Sequence, residues 1–220
     1  MLIVAIVLVC VVIIVTVSLF LRRKTVKIKD VDTLSKDRSG RIDIYSQDME
    51  FELIDVKAGG TLKARCDYAH WLDSKDQQKH WFAEGGVGSE WENLWIEFTP
   101  SASGYLFINL RGSFYDNVKH YHHDVWVDDC QLEGGALRNG DFEMIDPDSK
   151  PAYWSWNGSK DRYSTDGSQA HSGQCCVLIW HDIPLLQRIE VRAQKRYKVS
   201  AWFKAYALAD KKRAKKEVVQ

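Results

Sequence analysis

The hydrophobic and polar residues of this chain form two distinct patterns. Residues 2–21 are an apolar run without charge, proline or glycine. A helix of this length, rising about 1.5 Å per residue, spans about 30 Å, the hydrocarbon thickness of a bilayer. From residue 41 onward, short stretches alternate between apolar and polar residues and are separated by Gly, Ser, Asn and Asp. The first pattern predicts a single transmembrane helix, and the second predicts β-strands.

Alternation is clearest in five stretches of the second region, residues 51–56, 61–66, 94–99, 105–110 and 125–128. Their β-branched and aromatic residues are typical of strands. The same region contains no long stretch with the periodicity of an amphipathic helix. We therefore predict a mainly-β body, an antiparallel β-sandwich (jelly roll), preceded by the single N-terminal transmembrane α-helix.

These patterns divide the chain into four parts. Residues 1–24 are the predicted anchor with its basic flank, residues 25–40 a polar stalk, residues 41–208 the sandwich and residues 209–220 a basic tail. The apolar run is longer than the core of a signal peptide and has no small-residue cleavage site after it, so we expect it to be a retained signal-anchor. The tail could meet anionic lipid or an acidic partner.

Charge is balanced over the whole chain but not along it. Lys and Arg number 30, as do Asp and Glu, so no net field attracts nucleic acid and we expect no such partner. Basic residues cluster directly after the apolar run, at Arg22, Arg23, Lys24, Lys27 and Lys29. The positive-inside rule therefore predicts a body on the cytoplasmic side, N-out and C-in. The odd number of cysteines, five, also suits a reducing compartment.

Five motifs in the C-terminal part follow one another in a recognisable order. They are Asn-Gly-Asp-Phe-Glu at residues 139–143, Trp-Ser-Trp-Asn-Gly at 154–158, and the segments 170–178, 187–191 and 197–205. In this order they resemble the first half of the jelly-roll carbohydrate-binding modules of families 4 and 9 and their galactose-binding-like relatives. Residues 125–133, Val-Trp-Val-Asp-Asp-Cys-Gln-Leu-Glu, are similar to the last strand of such a module but precede its first half.

The resemblance implies that the two halves of a module stand in reversed order, residues 41–135 and residues 136–208. Residues 54–66 also align without a gap to residues 189–201, which indicates a partial internal repeat. One circularly permuted sandwich, two incomplete sandwiches, or a sheet completed by a neighbouring subunit would each fit. Because most such modules are exported, an extracytoplasmic body is the alternative location.

Sugar-binding modules stack the apolar face of a pyranose on aromatic rings and bind its hydroxyls with amides and acids. The alternative for any aromatic residue is a place in the core, since a sandwich needs large inward side chains. The candidates that the resemblance implies for a glycan site are Tyr115, Tyr153, Trp154, Trp156, Asn157, Trp180 and Gln187.

Two metal sites are also considered. The resemblance implies a structural Ca²⁺ bound by Asp141 or Glu143 together with Asp128 or Asp129, and the alternative is that these acids accept hydrogen bonds from turn backbones. Separately, strand alternation would place His120, His122 and Asp124 on one face, where they could bind Zn²⁺. The alternatives there are an ordinary polar strand rim or a pH-sensitive contact surface.

Catalytic motifs are missing from the sequence, which has no nucleophile elbow, phosphate-binding glycine loop, Cys-x-x-Cys or zincin helix. We therefore predict a non-enzymatic, single-pass membrane protein that acts as a structural or interaction subunit of a larger membrane-associated assembly, such as a minor capsid or accessory subunit. Its expected partners are the bilayer and other proteins. A membrane-anchored carbohydrate-binding module with a glycan partner is the alternative, and a glycoside-active enzyme is a third hypothesis.

Overall fold

The computed structural model describes residues 39–48, 51–61, 65–72, 77–112 and 124–206. These residues belong to one compact unit, Ser35–Gln220. The predicted anchor, most of the stalk and the basic tail lie outside them. Within the described ranges, no helix is long and apolar enough to cross a membrane.

Strands dominate the described part of the chain. Among the described residues there is one short 3-10 helix, Lys160–Arg162. The strands are β1 Ser39–Ser46, β2 Leu53–Gly60, β3 Arg65–Leu72, β4 Gln77–Gly86, β5 Glu92–Pro100, β6 Gly104–Gly112, β7 Val125–Glu133, β8 Tyr163–Ser164, β9 Cys176–Ile179, β10 Leu185–Val191 and β11 Tyr197–Ala205.

The described strands form two antiparallel sheets, which confirms the predicted mainly-β class and the β-sandwich. One sheet has five strands in the order β10-β6-β1-β4-β3, and the other has six in the order β2-β5-β11-β7-β9-β8. Strands from the two proposed half-modules are interleaved, because β10 pairs with β6 and β11 lies between β5 and β7. A jelly-roll topology and a permuted module stay predictions.

One hydrophobic core lies between the sheets. Strand β11 shows how the sequence forms it, because its residues are buried at every second position, from Tyr197 to Ala205, as expected for a strand with one face on a core. Ile42 and Ile44 of β1 face the same core from the other sheet. Phe203 packs closely against β1, since a Cβ atom at Gly40 would come within 2.5 Å of its ring.

Candidate functional site

The outward face of the five-stranded sheet carries an unusual group of side chains. Because Ile42 and Ile44 face the core, the alternating residues of β1 face outward. The register places Phe82 of β4 and Asn109 of β6 on either side of Asp43. Directly opposite residues share a face, so three strands contribute three residues each. We call this group the arginine face; its members are Arg41, Asp43, Tyr45, His80, Phe82, Glu84, Phe107, Asn109 and Arg111.

Asp43 lies at the centre of the arginine face and is fully buried, at 0% exposure. Arg41 donates from Nε to Asp43 Oδ1 at 2.5 Å, and His80 Nε2 lies 3.0 Å from the same oxygen. Arg111 Nε lies 3.2 Å from Oδ2. The two arginine side chains remain 19% and 21% exposed. A buried carboxylate thus holds two guanidinium groups at the protein surface.

The charge state of Asp43 follows from these contacts. Burial by itself would raise the pKa of Asp43, but the hydrogen bond from His80 and the positive charges of Arg41 and Arg111 outweigh it and lower that pKa below the usual range. Asp43 is therefore ionised at neutral pH. Two guanidinium groups share this one carboxylate.

Hydrogen bonding on the arginine face is incomplete. Asp43 Oδ2, Asn109 Oδ1 and Arg111 Nε are buried and have no hydrogen-bond partner in the described part of the chain. In the described part of the chain, Asp43 is also the one acidic partner of the Arg41 and Arg111 guanidinium groups. Asp43 Oδ2 and Arg111 Nε lie 3.2 Å apart, so Arg111 contacts Asp43 as an ion pair without a hydrogen bond.

The aromatic rings of this face are already covered. Tyr45 and Phe107 stack on each other, with centroids 4.9 Å apart and planes at 10°. The Arg41 guanidinium carbon lies 3.7 Å from the centroid of Phe82. Tyr105, which is 55% exposed at the margin of the face, carries Arg188 at 4.5 Å from its ring centroid. Each of these rings therefore has a ring or a guanidinium group against it.

A second polar cluster lies on the six-stranded sheet, around two of the predicted calcium ligands. Asp128 is buried and accepts hydrogen bonds from the backbone N–H groups of Asp129, His171 and Ser172 at 2.7, 2.8 and 3.2 Å. Asp129 contacts His171 Nδ1 at 2.6 Å, and the His171 ring stacks on Trp202 at 4.0 Å. Burial is the main cause that raises the pKa of Asp128 to about 7.

The other two predicted calcium ligands also contact backbone. Glu143 Oε1 accepts from the N–H groups of Gln174 and Cys175 at 2.7 and 2.8 Å, and Asp141 Oδ1 lies 3.5 Å from the N–H of Glu143. These contacts match the alternative that the acids are bonded to turn backbones. In the described ranges no three His, Cys, Asp or Glu side chains are grouped to hold a metal ion. The calcium site stays a prediction.

Three of the predicted sugar-binding residues that the structure describes are buried. Trp154 and Trp156 are 6% and 5% exposed and belong to the core, where their rings are closed to a sugar. Gln187 is buried and exchanges hydrogen bonds with the backbone of Arg138. Tyr153, Asn157 and Trp180 remain at least partly exposed. Tyr115 lies outside the described residues.

Of the three predicted zinc ligands, only Asp124 is described. It is buried, and Arg162 Nη2 donates to its Oδ1 at 2.6 Å. His120 and His122 lie outside the described residues, so the zinc site stays a prediction.

Sequence reasoning missed the arginine face, although a signal was present. Residues 41–45, Arg-Ile-Asp-Ile-Tyr, and residues 107–111, Phe-Ile-Asn-Leu-Arg, alternate charged, amide or aromatic residues with aliphatic ones. That pattern places the polar residues on the outward side of each strand. The register that joins them in space comes only from the structure.

A scan against models of known protein families, a search of curated proteins and a search of solved structures found no match to this chain. The function of the chain is therefore inferred from its own residues and their geometry.

Proposed function

We propose that this chain is a non-enzymatic, membrane-anchored subunit of a larger protein assembly, which its β-sandwich joins through the arginine face. Residues 2–21 supply the anchor, because their apolar run has the length of a membrane span. The observation that carries the docking role is the buried Asp43, which holds two arginines and a histidine on an outward surface.

A charged cluster with a buried carboxylate stabilises the outward face of a sheet little, because its charged groups lose hydration. Burying an ion pair often contributes little to stability compared with apolar side chains of similar volume, so stability alone does not explain Asp43 and its arginines. Arginine and tyrosine are, in contrast, the residues that dominate binding energy at protein interfaces. The terminal Nη groups of the two arginines also have no acceptor in the described part of the chain, as expected for donors that another molecule uses.

The same geometry argues against acid–base catalysis at this cluster. A general base works best when its pKa lies near the working pH, whereas the pKa of Asp43 is lowered. Both carboxylate oxygens face arginines and a histidine, so Asp43 orients these groups instead of accepting a substrate proton.

The proposed location is the cytoplasmic side of the membrane. The basic cluster after the apolar run supports this side through the positive-inside rule. The described cysteines, Cys130, Cys175 and Cys176, are buried free thiols, which suits a reducing compartment.

Carbohydrate binding is the second candidate, and a tryptophan of the six-stranded sheet favours it. Trp95 packs directly against β2, since a Cβ atom at Gly59 would come within 2.5 Å of its indole ring. Trp95 is partly exposed, with Lys198 Nζ 5.6 Å from its ring centroid, and an indole on a sheet surface offers a platform for a sugar ring. Binding on a glycan array that is lost on Trp95→Ala would support this candidate.

Site-specific photo-crosslinking tests the docking role. A photoreactive amino acid replaces Tyr105, at the margin of the arginine face, in the full-length chain in membranes of its source organism. The matched control replaces Ile54, an exposed residue of β2 in the other sheet. We expect a discrete protein adduct from position 105 and none of that mass from position 54. Equal labelling from both positions, or no adduct from position 105, contradicts the proposal.

A further inference from the structure

We infer that the arginine face binds carboxylate side chains of an acidic segment of its protein partner, seated at Arg41 and Arg111. This inference rests on the proposed docking function and names the chemistry that the partner presents. Three observations support it. The two arginines are opposite each other, the aromatic rings beside them are stacked or lie under a guanidinium group, and the backbone N–H groups of β1 are engaged in the sheet.

Arg41 and Arg111 are directly opposite each other in the register of β1 and β6. Side chains at directly opposite positions of an antiparallel pair have Cβ atoms about 5 Å apart, and like charges there repel. Asp43 compensates one of the two charges. Glu84 is directly opposite Arg41 on its other side, so Arg111 is the less compensated of the two arginines and would gain from a carboxylate supplied by another molecule.

Glu84 is the other acid among the nine members of the arginine face, and it does not lie beside Arg111. Its Oε1 accepts a hydrogen bond from Ser39 Oγ at 2.7 Å. In the register it lies between Arg41 of β1 and Arg65 of β3, at the side of the face away from Arg111. Arg111, whose contact with Asp43 in the described residues is an ion pair without a hydrogen bond, is therefore the less compensated arginine of the pair.

The orientation of the guanidinium groups also suits a carboxylate. Asp43 contacts each arginine at Nε, which leaves the terminal Nη groups for other acceptors. A guanidinium fork matches the two oxygens of a carboxylate and binds them with short, charge-assisted hydrogen bonds. Because the buried Asp43 fixes both side chains beforehand, less conformational entropy is lost when the partner binds.

The choice of a carboxylate on a protein follows from what else the face provides. A sugar acid would also need an open aromatic ring, but within the arginine face Tyr45 and Phe107 stack on each other and Arg41 lies over Phe82. An arginine fork also binds phosphate, but built phosphate sites commonly add backbone N–H groups. Here β1 lies between β4 and β6 in continuous ladders, so the donors come from side chains.

Peptide binding to the full-length chain in phosphatidylcholine nanodiscs tests the inference. Fluorescent hexaglutamate is the probe and hexaglutamine is its neutral match, both followed by fluorescence anisotropy. We expect hexaglutamate to bind about tenfold or more tightly than hexaglutamine, because charge-assisted hydrogen bonds are the stronger ones. Binding should also weaken as ionic strength rises.

The decisive variant is Asp43→Asn with Arg111→Gln, which removes one charge of each sign and leaves the net charge of the chain unchanged. We expect about tenfold weaker binding of hexaglutamate. The matched control, Asp124→Asn with Arg162→Gln at an ion pair beside β7 of the other sheet, should change binding less than about twofold. Should the double variant fail to fold by circular dichroism, Arg41→Lys keeps the charge, loses the fork and should weaken binding severalfold.

Three results would overturn the inference. The first is equal binding of hexaglutamate and hexaglutamine. The second is unchanged hexaglutamate binding by the folded double variant or by Arg41→Lys. The third is tighter binding of oligogalacturonate or of a phosphoserine peptide than of hexaglutamate. The proposed function fails separately, when position 105 gives no protein adduct. An adduct at position 105 together with no preference for hexaglutamate would retain docking and overturn carboxylate recognition alone.

Discussion

Replacing Asp43 by alanine is expected to lower the free energy of unfolding by about 3–5 kcal/mol, the loss typical of removing one partner from a buried ion cluster. The buried carboxylate contacts Arg41, His80 and Arg111. Without it, two opposite arginines repel each other and lose their common acceptor. Urea denaturation of the full-length chain in nanodiscs, followed by tryptophan fluorescence, measures the change.

Glu190→Ala is the matched control for Asp43→Ala, because Glu190 is an exposed acid opposite Tyr105 at the margin of the same sheet. Its stability should stay within about 0.5 kcal/mol of the parent chain. Similar small losses for both variants would show that Asp43 does not hold the arginine face together.

Acid should destabilise the parent chain through the same residue. Because the pKa of Asp43 is lowered on folding, its contribution to stability is fully present above the unfolded-state value of about 3.9 and is lost as the pH falls through the lower folded-state value. Asp43→Asn should have a shallower loss of stability below about pH 4. Identical acid profiles for the two chains would contradict this linkage.

Phe203→Ala is expected to lower the free energy of unfolding by about 3–5 kcal/mol, because Phe203 is fully buried between the sheets. Gly40→Ala alone should cost about 1–3 kcal/mol, since the added Cβ would lie 2.5 Å from the Phe203 ring. In the Phe203→Ala background the ring is gone and only the Cβ of residue 203 stays close, at 2.9 Å, so Gly40→Ala should cost clearly less than in the parent chain. The two substitutions are therefore coupled, and a double-mutant cycle measures the coupling.

Gly88→Ala is the control for this cycle, because a Cβ there meets Glu92 Oε2 at an ordinary 3.5 Å. We expect a change within about 0.5 kcal/mol. Equal costs of Gly40→Ala in both backgrounds would mean that residues 40 and 203 do not pack together. The two proposed half-modules would then lack the contact that the structure places between β1 and β11.

Part of the fold could be predicted from the sequence because burial follows from alternation. The strict alternation of residues 197–205 marks a strand with one face on the core, as β11 shows. Strand β9 gives no such signal, because all four of its residues are buried. Strand β1 begins at Ser39, inside the predicted stalk. The sequence does not show this strand because its outward Arg41 and Asp43 make the stretch resemble a polar connection.

The candidate site could not be assembled from the sequence because it depends on strand neighbours. Alternation shows that Asp43 and Asn109 each face outward, but not that β1 lies beside β6. The motifs of residues 139–191 drew attention to aromatic and acidic residues that fill the core or accept backbone hydrogen bonds, such as Trp154 and Glu143. A motif conveys the order of residues, whereas burial and register decide which of them can meet a ligand.

Arginine side-chain Nε–Hε resonances of the full-length chain in phosphatidylcholine nanodiscs report most directly on whether the Arg41–Arg111 pair binds carboxylates. Addition of hexaglutamate should shift the resonances of Arg41 and Arg111 and leave that of Arg162, which is bonded to Asp124, unchanged. Titration shifts that leave out Arg41 and Arg111 would contradict the assignment of this pair as the carboxylate site.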